Sequence, residues 1–241
     1  MTDLIPTPAQ ARVPVRGGGT FPVRRIYCVG RNFADHAREM GAAAPASKAE
    51  RGQPVFFLKP ADAVVTGGAA APDVSVPYPP ATRDLHHEVE LVVALGLDAP
   101  SGVLAPEDAA TLVLAYGVGL DLTRRDLQAA AKAKGLPWDI GKGFDHSAPV
   151  SELVPAAQVT ALASRSLTLE VNGDTRQHGS LHDLIWDVPE ILHELSKLFA
   201  LKAGDLVFMG TPAGVGPLLP GDAFVASLEG VVELHGRITA A

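Results

Sequence analysis

The segment HHEVELVVALG at 86–96 presents a folding chain with a conflict, because two acids sit inside an apolar run that otherwise reads as a buried β-strand. Residues two apart in a strand project to one face, so Glu88 and Glu90 share a face while Val89 and Leu91 enter a core on the other. Like charges on one face repel. A bound cation removes that penalty, and Asp121 in YGVGLDLTRRDLQ supplies a third carboxylate from the end of another strand. Three hard oxygen donors suit Mg2+, Mn2+ or Ca2+ rather than zinc, which prefers His and Cys. Taken alone, an E-x-E pair is more often a solvated strand edge, so the neighbouring motifs decide.

With 241 residues and 47% apolar content the chain can bury a core of ordinary size. A formal net charge of -7 without a Lys/Arg-rich run argues against nucleic acid, which needs a concentrated basic footprint. Apolar stretches such as LVVALGL fall far short of the roughly 20 residues of a membrane span. The N-terminus has no basic segment leading into an apolar one, so a cytoplasmic site is expected. Cys28 is the single cysteine, which excludes an internal disulfide and a multi-thiolate metal site and makes it a buried small hydrophobe.

Residues 1–24 are punctuated by Pro and Gly and read as an arm of loose structure or short strands, with one catalytic domain over 25–241. IYCVG reads as a strand, and NFADHAREMG as a short helix with Asn32 as N-cap, Phe33, Ala37 and Met40 on one stripe and Gly41 as its stop. GAAAPASKAERGQ reads as a small-residue loop of the kind used as a lid. PVFFLKP and HHEVELVVALG are expected to be sheet neighbours, and VLAYGVGLDLT to run into a helix starting near Thr123 with Asp126 completing a capping box. A later helix, VPEILHELSKLFALKAG, has Asp187 as N-cap and an apolar face of Ile191, Leu192, Leu195, Leu198 and Phe199. Strands outnumber helices, which are too few to cover both faces of a parallel sheet. A mixed α+β architecture around a curved or rolled β-structure is expected. The glycine patterns do not fit a dinucleotide-binding βαβ unit.

His36 and Glu39 are spaced i, i+3 on the short helix, so a carboxylate can orient the imidazole as a general base. Arg125 and Gln128 repeat that spacing beside Asp121 and are candidate substrate contacts. Lys59 in FFLKP and Lys142 in DIGKGFDHSAP are cations in apolar or turn contexts, each able to partner an anion or oxyanion. GTPAGVG offers Thr211 and backbone N–H groups that could bind a carboxylate. His86 and His87 flank the acids without being expected as ligands, and neither a G-x-S-x-G motif nor a P-loop is present.

Together, YCVGRNFADHAREMG, FFLKP, HHEVELVVALG, GLDLTRRDLQ, IGKGFDHSAPVS and GDLVFMGTPAGVG resemble the fumarylacetoacetate hydrolase family, and most nearly its short acylpyruvate and fumarylpyruvate hydrolases. The resemblance implies a mixed β-roll, normally dimeric, with Mg2+ or Mn2+ on Glu88, Glu90 and Asp121. It implies His36 and Glu39 as the water-activating dyad, Lys142 as the stabiliser of negative charge, and Arg31, Lys59, Arg125, Gln128 and Thr211 nearby. Longer fumarylacetoacetases carry a further acid where IYCVGRN has none, which favours small 2-oxo acids as substrates. The implied reaction is metal-dependent cleavage of a 2,4-dioxo acid, with fumarylpyruvate giving fumarate and pyruvate and Arg31, Arg38 or Arg125 meeting its distal carboxylate. Oxaloacetate decarboxylation or tautomerisation would use the same enolate. A catalytically silent metal-binding scaffold would be expected to lack a dyad member, a ligand or the lysine, and this sequence has them all.

Overall fold

Strand alternation at 89–95 organises the molecule. In the computed structural model, which describes residues 4–6, 8–39, 41, 45, 48–67 and 73–240, Val89–Leu95 lies inside a six-stranded sheet. The order across it is Val154–Pro155, Val113–Leu120, Val89–Leu95, Asp205–Phe208, Arg25–Gly30 and Val55–Lys59. Every residue of Val89–Leu95 is buried. Val89, Leu91, Val93 and Leu95 enter the larger core, whereas Val92 and Ala94 enter a second one behind the sheet. Glu88 and Glu90 thus share the face of Val92 and Ala94, as strand parity requires.

A five-stranded sheet, ordered Asp174–Ser180, Ser166–Val171, Ala223–Leu228, Val232–Thr239 and Val74–Pro77, contributes the other half of the larger core. Leu167, Leu169 and Val171 alternate inward on one strand, and Phe224, Ala226 and Leu228 on its partner. The chain is 38% strand and 22% helix, with mixed sheets and no closed barrel, so the α+β expectation holds. Val13, Phe21 and Val23, on and beside the hairpin Arg12–Pro14 and Thr20–Pro22, join the second core with Ile26 and Cys28.

Several local expectations need correction. Val55–Lys59 is not the neighbour of Val89–Leu95, because Arg25–Gly30 and the parallel strand Asp205–Phe208 lie between them. The helix after Asp121 spans Arg125–Ala133, and Thr123 belongs to a short strand paired with Leu85–His87. Asp126 accepts from Thr82 Oγ1 and the Arg83 N–H instead of closing a capping box with Thr123. At Val188–Ser196 the capping box between Asp187 and Glu190 is present in both directions. Ile191, Leu192 and Leu195 are buried there, but Leu198 lies past the helix end and is 63% exposed. Met40 and part of the lid-like loop lie outside the described residues.

Asn32 does not cap the helix Ala34–Glu39. Fully buried, it donates to the carbonyls of Met209 (2.7 Å) and Trp186 (3.0 Å) and accepts from the Trp186 N–H (2.8 Å). It therefore ties the start of the helix carrying His36 to two remote loops. Asn32→Ala leaves those backbone groups without partners, and a loss of at least about 2 kcal/mol is expected from such desolvated groups. Urea unfolding should show a lower midpoint at unchanged slope, and an unaltered midpoint would contradict this role for Asn32.

Candidate active site

A backbone hydrogen bond sets the acids side by side: the Asp121 N–H donates to the Glu88 carbonyl at 2.8 Å, where Val113–Leu120 runs out beside Val89–Leu95. Glu90 faces Gly119 across this pairing, and a Cβ at Gly119 would press on the Pro149 carbonyl and the Phe208 ring. One carboxylate oxygen each from Glu88, Glu90 and Asp121 lies within 4.8 Å of the others, and all three residues are buried. Such concentrated charge demands compensation. Lys142 Nζ donates to Glu88 Oε2 (2.7 Å) and Asp121 Oδ2 (2.5 Å), and Arg125 Nη2 donates to Glu88 Oε1 (2.6 Å).

Burial opposes the charge on Glu88, but Lys142 and then Arg125 outweigh it and hold this carboxyl below its usual range. Burial likewise opposes the charge on Lys142, and Asp121 and Glu88 together hold the ammonium above the ordinary lysine range. Glu90 behaves oppositely. Burial, followed by the charges of Asp121 and Glu88, pushes it well above the normal carboxylate value, and the Gly210 N–H donates to it at 2.7 Å. Lys59 is buried behind Asp121, 2.9 Å from its Oδ1, and donates to the carbonyls of Leu122 and Lys142. That position makes it a counter-charge for Asp121 and keeps it off the cleft wall.

The i, i+3 spacing of the short helix brings His36 Nδ1 to 3.1 Å from Glu39 Oε2. A carboxylate only accepts, so Nδ1 is the donor in this pair, and the tautomer that does this presents Nε2 as the basic nitrogen. Glu39 is held in turn by the Gly214 N–H at 3.1 Å. Backbone N–H groups of GTPAGVG thus hold the protein's own Glu90 and Glu39, where the sequence had suggested they could receive a substrate carboxylate. Gly214 has φ 95°, and a Cβ there would collide with the Arg176 carbonyl.

A narrow cleft, about 20 Å³ in volume, is lined by Arg31, His36, Glu88, Asp121, Arg125, Gln128, Lys142 and Thr211, so eight separately singled-out residues meet in one place. Glu90, Glu39 and Lys59 stand behind this wall. Arg125 is committed to Glu88, to Gln128 Oε1 (2.7 Å) and to His86 Nδ1 (3.3 Å). Thr211 Oγ1 accepts from Gln177 at 2.8 Å and retains its own hydroxyl proton as a donor. Sequence reasoning passed over three lining residues, Phe57, Lys132 and Trp138. Lys132 follows Arg125 and Gln128 at i+7 and i+4, a helical stripe that could have revealed it.

A profile of the fumarylacetoacetate (FAA) hydrolase C-terminal family matches residues 25–239. The chain belongs to the fumarylacetoacetate hydrolase family. The crystal structure of fumarylpyruvate hydrolase from Pseudomonas aeruginosa in complex with Mn2+ and pyruvate is 43% identical, covers 100% of both chains and superposes with a TM-score of 0.91. Curated relatives include the mitochondrial oxaloacetate tautomerase FAHD1 of Mus musculus, 41% identical over 89% of this chain and 91% of the relative. The oxaloacetate tautomerase YcgM of Escherichia coli is 40% identical over 87% and 90%. Among the described residues no helix is long and apolar enough to cross a membrane.

The donor set of this family member fits a divalent cation. Three oxygens within 4.8 Å can surround one ion with oxygen ligands at about 2.0–2.6 Å. Asp121 Oδ1 is buried and receives no aligned hydrogen bond despite the nearby lysine, which leaves coordination capacity. Binding competes with a proton on Glu90, whose pKa burial and the neighbouring acids raise. Apparent Mn2+ affinity should therefore climb as pH rises through the range above the usual carboxylate value, by up to about tenfold per pH unit for one proton released. Titrations of chelator-treated protein at several pH values test this. A flat profile in the native protein, or one unchanged in Glu90→Gln, would contradict it.

Proposed function

We propose that this chain is a hydrolase of acylpyruvates, cleaving fumarylpyruvate to fumarate and pyruvate, with Mg2+ or Mn2+ held by Glu88, Glu90 and Asp121. The observation that carries the reading is the carboxylate-held imidazole of His36 in the same cleft as the acid cluster. Such a base suits a reaction that must deprotonate water. The full-length likeness to a hydrolase bound to Mn2+ and pyruvate supports it. A cytoplasmic location and a homodimer belong to the same proposal.

A divalent ion on the three carboxylates would polarise the 2-oxo acid end of the substrate and favour the enolate of the departing pyruvate. The chain's own groups supply the remaining steps. His36 Nε2 takes a proton from water while Glu39 stabilises the imidazolium through Nδ1–H. The hydroxide oxygen bonds to the 4-carbonyl carbon, whose oxygen becomes an oxyanion. Lys142 has one N–H beyond the two it gives to Glu88 and Asp121, and this third proton can meet that charge. The C3–C4 bond then breaks, its electron pair passes to the pyruvate fragment, and C3 takes up the proton that His36 took from water, which restores the base. Fumarate and pyruvate leave.

Oxaloacetate tautomerisation is the second reading, favoured by curated relatives near 40% identity that bear that name. It moves a proton between C3 and the enol oxygen and consumes no water. Oxaloacetate decarboxylation would draw on the same enolate. A silent scaffold is disfavoured because His36, Glu88, Asp121 and Lys142 line one cleft, with Glu39 bonded to His36 and Glu90 beside the other acids.

Purified protein with Mg2+ or Mn2+ should hydrolyse fumarylpyruvate, followed as pyruvate release, faster than it converts enol to keto oxaloacetate. The reverse preference would install the tautomerase reading. His36→Ala should lower hydrolysis by about 100-fold or more, the usual loss for a general base. Decarboxylation of oxaloacetate, which needs no water, should fall less. Equal losses would instead assign His36 a step common to both reactions.

A further inference from the structure

The cleft has a second concentration of like charge. The stripe Arg125, Gln128, Lys132 on the helix Arg125–Ala133 runs away from the acids, and Lys132 lines the cleft together with Arg31. Neither Lys132 nor Arg31 has a carboxylate partner among the described residues. Lys132 Nζ lies 4.9 Å from the centroid of the Trp138 ring, which steadies a cation without neutralising it. Burial, then Arg125 and Arg31, bring its pKa down to about 8, a crowding that a bound anion would relieve. Arg31 follows the strand Arg25–Gly30 with φ 59°, a left-handed conformation uncommon outside glycine and kept where surrounding structure imposes it.

We propose that Lys132, assisted by Arg31, binds the distal carboxylate of the acyl group and so sets a preference for acylpyruvates whose acyl chain ends in a carboxylate. The other cations considered for this task are engaged elsewhere. Arg125 is spent on Glu88, Gln128 and His86, and Arg38 pairs with Asp35 on the exposed side of its short helix. Length also selects. Seven residues of helix place Lys132 about 10 Å along the axis from Arg125, which marks the acid end of the cleft. An extended seven-carbon dioxo diacid spans about 7.5 Å between its terminal carbons, and a hydrogen bond of about 2.8 Å completes the distance. Oxaloacetate is half as long, so it cannot meet both ends, and acetylpyruvate has no second carboxylate.

This inference rests on the acylpyruvate hydrolase reading, and the experiment separates the two. Steady-state kinetics of the metal-loaded wild type, Lys132→Met and Lys132→Arg would be measured with fumarylpyruvate and acetylpyruvate. Lys132→Met keeps an apolar side chain of similar length without the charge. It should raise KM for fumarylpyruvate about tenfold or more, as expected for losing a charge-assisted hydrogen bond, with kcat little changed. Acetylpyruvate kinetics should stay at the wild-type level, and Lys132→Arg should restore most of the fumarylpyruvate KM. Equal losses on both substrates, or undiminished fumarylpyruvate turnover in Lys132→Met, would overturn the subsite while leaving the hydrolase reading standing. A wild type that hydrolyses neither acylpyruvate would overturn both.

Discussion

The hydrogen bond from the Asp121 N–H to the Glu88 carbonyl does more than close a strand pair. It obliges two carboxylates from distant parts of the sequence to share one buried space, with Glu90 two residues along the same face. Most of what surrounds them answers that crowding. Lys142 bridges two of the acids, Arg125 takes the free oxygen of Glu88, and Lys59 stands behind Asp121. Buried ion pairs of this kind seldom add net stability, because removing both partners from water costs about as much as their attraction returns. Their persistence here in a cleft is better explained by a ligand than by folding. Glu90 is the acid that forms no ion pair among the described residues, and burial, followed by the charges of Asp121 and Glu88, raises its pKa.

The glycine-rich loop after Asp205–Phe208 couples the two halves of the chemistry. Its Gly210 N–H holds Glu90 among the acids, and its Gly214 N–H holds Glu39 of the dyad. Both glycines have φ 95°, and a Cβ at Gly210 would strike Asn32, which itself anchors the start of the helix bearing His36. Metal-type ligand, base-orienting carboxylate and helix start are thus fixed by one short segment. A displacement of that loop would alter the acid cluster and the His36–Glu39 pair together.

Much of this was legible in the sequence because period-two and helical periodicity are local. Strand parity at 86–96 placed Glu88 and Glu90 on one face, the i, i+3 spacing joined His36 to Glu39, and Asp187 announced a helix start. The errors arose where a partner lies far off in the chain. Asn32 looks like an N-cap until Trp186 and Met209 arrive to claim its side chain, and Val55–Lys59 looks like a neighbour of Val89–Leu95 until Asp205–Phe208 inserts. Lys59 illustrates the same limit. Its apolar context marks a cation able to partner an anion, but only the tertiary arrangement decides whether it faces a substrate or the back of Asp121.

The two ends of the cleft are electrostatic opposites, and that polarity constrains the ligand more tightly than either end alone. The acid end can take a cation and, on the proposed reading, through it the oxygens of a 2-oxo acid, while at the far end Lys132 and Arg31 have no carboxylate partner among the described residues. Between them, His36 and Lys142 line the same cleft and can act on a carbonyl held midway. A monocarboxylate would satisfy one end and leave cations crowded at the other. A short diacid such as oxaloacetate would have to choose between them. On the proposed reading, a dioxo diacid long enough to reach both ends would satisfy the two at once and bring its 4-carbonyl between the base and the lysine, so that one charge separation would both hold the substrate and select the bond to be cleaved.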